Sequence, residues 1–186
     1  MGGLTPTLAN LIYAKENCNI PVVAMVRPRG GGFCYSDEEY ETMLMDAKIL
    51  LEHGADGIAF GFLTEEKMLD KKRTKEMIEL IHKYGREAVF HRAFDCIDNH
   101  DSAAEKLIRL GADRILTSGG AVNVWDGRKQ LKHLRLRNGR PLAAPAARFL
   151  YICGVMAAFF CAVSGALPHS SAPAAAGSDR PPRCRP

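Results

Sequence analysis

Three times in the first 120 residues, a stretch with helical patterning stops at a glycine and a short apolar run begins a few residues later. Gly54-Ala55-Asp56-Gly57-Ile58 and Gly111-Ala112-Asp113-Arg114-Ile115 echo one another, and Gly85-Arg86-Glu87-Ala88-Val89 holds the equivalent place between them. The spacings, 31 and 26 residues, are those of one strand plus one helix. Repeated units of this kind with apolar strands build a parallel sheet covered by helices. The chain is therefore expected to be α/β. The pattern alone leaves a closed barrel and an open sheet both standing.

The units can be read individually. Residues 7–17 form a short helix. Ile20 to Val26 (IPVVAMV) is an apolar, β-branched strand. Ser36 to His53 is a helix opened by a capping box, Ser36 with Glu39 three residues on, and its apolar stripe is Tyr40, Met43, Leu44, Ala47, Leu50 and Leu51. Gly57 to Phe62 is a strand, Lys71 to Tyr84 a helix, Glu87 to His91 a strand, Asp101 to Leu110 a helix and Arg114 to Thr117 a strand. After Gly120 the pattern is expected to stop, with one helical turn set in Ala121 to Arg140.

Composition breaks at the same point. Residues 1–120 carry 15 Lys+Arg against 19 Asp+Glu, a net −4, whereas residues 121–186 carry 10 against 2, a net +8. Seven of the ten prolines lie after Gly120, and glutamate is absent there. The overall +4 therefore supports no nucleic-acid role, because the part with a fold signature is acidic. Phe149 to Leu167 is uncharged over 19 residues, long enough to span a bilayer, with Lys129, Lys132, Arg135, Arg137, Arg140 and Arg148 on one side. A buried helix and sequence not selected for folding are the competing readings of that stretch. The segment from Pro168 to Pro186 has the composition of a disordered tail. The expected division is thus 1–120, a folded βα unit, and 121–186, a basic, apolar and Pro/Ala-rich tail. Six cysteines without a CxxC, behind an opening unlike a signal peptide, point to free thiols in a reducing cytoplasm.

In parallel βα folds ligands gather at the C-terminal ends of strands. The first strand ends in Arg27-Pro28-Arg29-Gly30-Gly31-Gly32-Phe33, where Arg27 and Arg29 supply planar donors and Gly30 and Gly31 bare backbone N–H groups, suited to a carboxylate or phosphate. The third ends in Phe90-His91-Arg92-Ala93-Phe94-Asp95. His91 is the candidate acid, base or metal ligand, and Asp95 either orients it or pairs with Arg92. The fourth ends in Thr117-Ser118-Gly119-Gly120, where Ser118 and Gly119 offer a phosphate cradle. Thr64, after the second strand, is expected to cap the next turn. Cys34 and Cys96 lie beside these strings, and two thiols with His91 would suit Cu(I). His53, His82, His100 and Cys18 read as surface residues.

Taken together, VRPRGGGFCYSDEEYETM, GADGIAFGFLTEE, FHRAFD and GADRILTSGG resemble, in order and spacing, the CutC copper-homeostasis family across roughly residues 2–120. The resemblance implies a cytoplasmic TIM-type (β/α) barrel, here a partial one of about four parallel strands followed by a non-family tail. It implies a role in copper homeostasis with Cu(I) binding, for which Cys34 and His91 are the candidate ligands. The family usually has an acidic residue where Gly32 stands. Its first strand, with cysteines proposed as copper ligands, would precede Gly2-Gly3-Leu4-Thr5-Pro6-Thr7, and its last strands would follow Gly120. Four strands would leave two unpaired edges. The expectation is a truncated isoform that folds poorly or needs a partner, a second copy of itself included. The alternative is an enzyme in which Arg27 and Arg29 hold a small anionic or phosphorylated substrate, His91 serves as acid or base and Asp95 orients it.

Overall fold

The computed structural model describes residues 3–138, 148–150 and 160–161, and only the backbone beyond residue 135. Helix α1 (Leu8–Asn17) starts on Thr7, whose hydroxyl accepts from Asn10 N–H. Strand β1 (Val22–Met25) follows, then α2 (Asp37–Glu52), where the Ser36–Glu39 capping box is formed in both directions. Strand β2 (Gly57–Phe60) leads to α3 (Lys71–Lys83), capped by Asp70, and β3 (Glu87–Phe90) leads to a 3-10 helix, Arg92–Cys96. Next come α4 (His100–Leu110), capped by Asn99, and β4 (Arg114–Leu116). Strands β1 to β4 lie side by side in chain order and parallel, as the repeat dictates.

The echo has a physical reason. Asp56 accepts from Val22 N–H at 2.7 Å and Asp113 from Ala88 N–H at 2.8 Å, so each aspartate fastens the start of the strand before its own. Lys15 and Arg86 close on Asp56, and His82 on Asp113. Burial works against the Asp56 anion, but these partners outweigh it and hold its carboxyl below the ordinary range.

Side chains on the helix side of the sheet form the main core. Met43, Ala47, Phe60, Ile78, Ile81, Phe90, Phe94 and Leu107 are all sealed from solvent there. Each large apolar side chain so buried contributes about 1.5–3 kcal/mol. A second, smaller cluster lies on the other face: Val23, Met25, Ala59, Val89 and Leu116.

The structure departs from the sequence reading after Gly120. The pattern does not stop: α5 (Val124–Asn138) is a 15-residue helix, and its Leu131 and Leu134 are buried. The outer sides of β4 and β1 carry partners as well. Strand β5 (Arg148–Leu150) pairs parallel with β4, and β6 (Phe160–Cys161) pairs antiparallel with β1, giving the order β5-β4-β3-β2-β1-β6. These short segments cover the outer side of β4 and the first half of β1, and they become the outer strands of the sheet. Of the stretch read as a candidate membrane span, only 149–150 and 160–161 are described, in these strands. The rest of that expectation, and the tail 168–186, lie outside the described residues. Among the described residues no helix is long and apolar enough to cross a membrane.

Candidate functional site

Side chains alternate across a strand, so the residues two beyond Met25, Ala59, Val89 and Leu116 share their face. Those residues are Arg27, Gly61, His91 and Ser118. They form a polar layer over the small apolar cluster, at the C-terminal ends of four adjacent strands.

Arg27 is 8% exposed. Its backbone N–H donates to Thr5 Oγ1 at 2.9 Å, and its Nη2 donates to the Gly31 carbonyl at 2.9 Å. The guanidinium carbon stands 4.9 Å from the centre of the Phe33 ring. Its Nε–H is buried and has no hydrogen-bond partner among the described residues. His91 is 3% exposed, and its ring centre lies 5.0 Å from that of Phe33. Nδ1 accepts from Ala93 N–H at 3.1 Å, while Nε2 is buried without a partner among the described residues. Burial, aided by the Arg27 charge, pushes the imidazole from 6.5 down to about 3. The ring is therefore neutral at physiological pH. Because Nδ1 is an acceptor, the proton sits on Nε2. Gly61 makes this placement achievable: a Cβ there would lie 2.5 Å from His91 Cε1 and 2.8 Å from Ala93 Cβ.

Among the described residues two buried N–H groups, Arg27 Nε and His91 Nε2, make no hydrogen bond, and the buried Tyr35 hydroxyl, the side-chain oxygen beside Arg27, makes none either. A buried polar group left unmet costs about 1–3 kcal/mol, which favours a ligand bearing oxygen acceptors. Among the described residues Arg27 has no carboxylate partner. Arg29 and Arg92 do. Arg29 is exposed, grips Glu39 through Nε and Nη2, donates to Cys34 O, and lies over the Tyr35 ring. The structure does not bring it to His91.

Asp95 does not orient His91. The chain turns at His91 into the 3-10 helix, which swings Asp95 toward β4. There it accepts from the Thr117 and Ser118 hydroxyls, from Ser118 N–H and Gly120 N–H, and from Arg92 Nε at 2.8 Å. Burial opposes its charge, but these donors win and keep the carboxyl below its usual range. Gly119 N–H goes to Thr117 Oγ1, and Arg92 Nη2 to Ser118 Oγ. The predicted phosphate cradle at Ser118 and Gly119 is thus already filled by the protein's own carboxylate and hydroxyl. Gly30 and Gly31 lie in an exposed turn, where Gly31 has φ of 90°.

The described residues do not fit Cu(I). A lone pair on His91 Nε2 would require the proton on Nδ1, facing Ala93 N–H, and the Arg27 cation stands alongside. Cys34 and Cys96 are exposed single thiols. Cys34 lines an open cleft of about 740 Å³ with Asp37, Glu41, Glu65 and Glu66, yet among the described residues no three such side chains converge on a metal position.

Sequence reasoning missed Phe33, Gly61 and Thr117 as members of the site. The signal for Gly61 was present, since it shares its face and level with His91. Thr64 caps the next turn as expected, accepting from Met68 N–H. His100 is half-buried against Phe94, not a surface residue.

The comparisons agree with one another. A sequence profile described as CutC family matches residues 1–143, which takes in α5. Family protein CutC of Treponema denticola is 45% identical over 127 residues, 68% of this chain and 51% of that protein. The copper homeostasis protein cutC homolog of Mus musculus is 41% identical over 133 residues, 72% of this chain and 48% of that protein. The chain spans about half the length of the curated relatives it matches. A solved structure of CutC from Streptococcus agalactiae aligns with a TM-score of 0.69 at 29% identity, covering 75% of this chain and 69% of that one.

Proposed function

Because this chain belongs to the CutC family, we propose that it serves copper homeostasis, the role for which its mouse and human relatives are named, and that its own site binds a small anionic ligand. The observation that carries the second part is the pair of buried, unmet donors, Arg27 Nε–H and His91 Nε2–H, at one rim of the sheet. An acceptor-bearing anion satisfies both and the Arg27 charge at once. Free thiols at Cys18, Cys34 and Cys96 support a reducing, cytoplasmic setting.

If the bound anion is a substrate, His91 acts as a neutral hydrogen-bond donor to developing negative charge rather than as a cationic acid. Its buried ring stays unprotonated well below pH 7. Asp95, Arg92, Ser118 and Gly119 then shape the neighbouring loop, and Arg27 holds the substrate.

Direct Cu(I) binding is the second reading, favoured by the relatives' names. Competition titration against a chromophoric Cu(I) chelator separates the two. We expect no stoichiometric Cu(I) loss in Cys34→Ser or His91→Ala, and loss of small-anion binding in Arg27→Ala. Stoichiometric Cu(I) binding that disappears in Cys34→Ser would instead establish the metal reading.

A further inference from the structure

Resting on the anion-binding reading above, we infer that the segment Gly30–Phe33 occupies its own ligand site, and that its withdrawal opens a place between Arg27 and His91 for a monocarboxylate with a flat, apolar body. The side-on edge of a guanidinium, Nε with Nη2, is the fork that grips a carboxylate through two parallel bonds. In Arg27 one prong, Nη2, is held by the Gly31 carbonyl, and the other, Nε, holds nothing. The Gly31 oxygen thus stands where one carboxylate oxygen would, and the second position is unfilled. The Phe33 ring stands in contact distance of both planar groups, 4.9 Å from the Arg27 guanidinium and 5.0 Å from the His91 ring. The space it takes is that of a ring under the Arg27 guanidinium and tilted by 55° to the His91 ring. Gly31 and Phe33 belong to one short segment, so a single displacement frees the fork and the ring-shaped space beside His91 together. Withdrawal of the segment breaks few bonds: Leu63 N–H to the Phe33 carbonyl at 2.9 Å, Arg27 Nη2 to the Gly31 carbonyl at 2.9 Å and Arg29 Nη1 to the Gly30 carbonyl at 3.4 Å. Gly30, Gly31 and Gly32 are exposed, and a Cβ at Gly30 or Gly32 would touch nothing within 4 Å.

Charge selects the ligand class. Arg29 is neutralised by Glu39 and Arg92 by Asp95. The N–H groups of Ser118, Gly119 and Gly120 are spent on Asp95 and Thr117. Among the described residues Arg27 is left as the one strand-end arginine at this rim without a carboxylate partner. It balances a carboxylate and falls short of a phosphate dianion.

The test is calorimetric titration of the full chain at pH 7 with benzoate, acetate and inorganic phosphate. Benzoate is expected to bind, more tightly than either of the others. Phe33→Ala is expected to tighten benzoate at least about fivefold, Arg27→Met to weaken it at least about tenfold, and Arg29→Met to change it less than about twofold. Circular dichroism confirms that each variant is folded, and Phe33→Leu, with a smaller tightening, serves if Phe33→Ala is not. The His91 imidazole proton resonances of the unaltered chain should shift on adding benzoate. Arg27-dependent binding in which phosphate outcompetes benzoate overturns the ligand class, and benzoate affinity unchanged or weakened in Phe33→Ala overturns the self-occupied site. Either result leaves the anion site standing. No binding of any of the three by the unaltered chain or by the folded Phe33 variant overturns both.

Discussion

Acidifying a solution of this protein from pH 7 to pH 5 should weaken its fold through the proton that buried His91 cannot take. In the unfolded chain the imidazole titrates near its ordinary 6.5, whereas in the native structure burial and Arg27 push it to about 3. Between those values the unfolded state binds a proton and the native state does not. The His91 contribution is therefore complete above pH 6.5 and is lost as pH falls toward 3. The slope approaches 1.4 kcal/mol per pH unit, giving about 2 kcal/mol at pH 5 and about 4 kcal/mol at pH 3. Asp56 and Asp95 also stabilise less in acid, but their carboxyls start lower, and their loss falls below the pH 5 limit. The comparison is urea unfolding at pH 7, 6 and 5 for the unaltered chain and His91→Asn, in which the amide oxygen retains the acceptor at the Nδ1 position. The unaltered chain should lose about 2 kcal/mol more than the variant. Parallel pH dependences for the two would refute the claim that His91 is held neutral by its surroundings.

Three further outcomes follow from the same geometry. Gly61→Ala places a methyl group 2.5 Å from the His91 ring; it should cost about 1–3 kcal/mol in chemical denaturation and weaken anion binding with it. Asp95→Ala strips the acceptor from Thr117, Ser118, Gly120 and Arg92 together. It should cost about 3 kcal/mol, seen in calorimetry as a Tm lower by roughly 6–12 °C. Leu134→Ala should cost about 2–5 kcal/mol because the side chain is fully buried, and a loss under about 0.5 kcal/mol would show that α5 adds nothing to the fold.

The four parallel strands and four of the helices are legible because their signals are local. Ser36 and Glu39 cap α2 as their spacing says, and Gly111 closes α4 in the left-handed conformation only glycine adopts freely. Helix α5 is less legible because its stretch is basic and polar almost throughout. Leu131 and Leu134 become core residues only through tertiary packing, which no window of sequence contains. The site divides the same way. That Arg27, His91 and Ser118 share one rim follows from strand alternation. Which carboxylate meets which cation does not: Glu39 captures Arg29 from ten positions away, and Asp95 leaves His91 because the chain turns helical at Arg92. An extended reading of Phe90 to Asp95 has no means of anticipating that turn.

The carboxylate of Asp95, lodged among donors that would otherwise await an outside anion, also constrains descent. A lineage gaining phosphate affinity at the fourth strand would first have to surrender the group that keeps the Thr117–Gly120 bend in shape, passing through intermediates less stable and not yet useful. Arg27 carries no such debt. Novelty in ligand choice is thus cheapest at the first strand, where a change of loop sequence alters what the arginine meets and leaves the bend at the fourth intact.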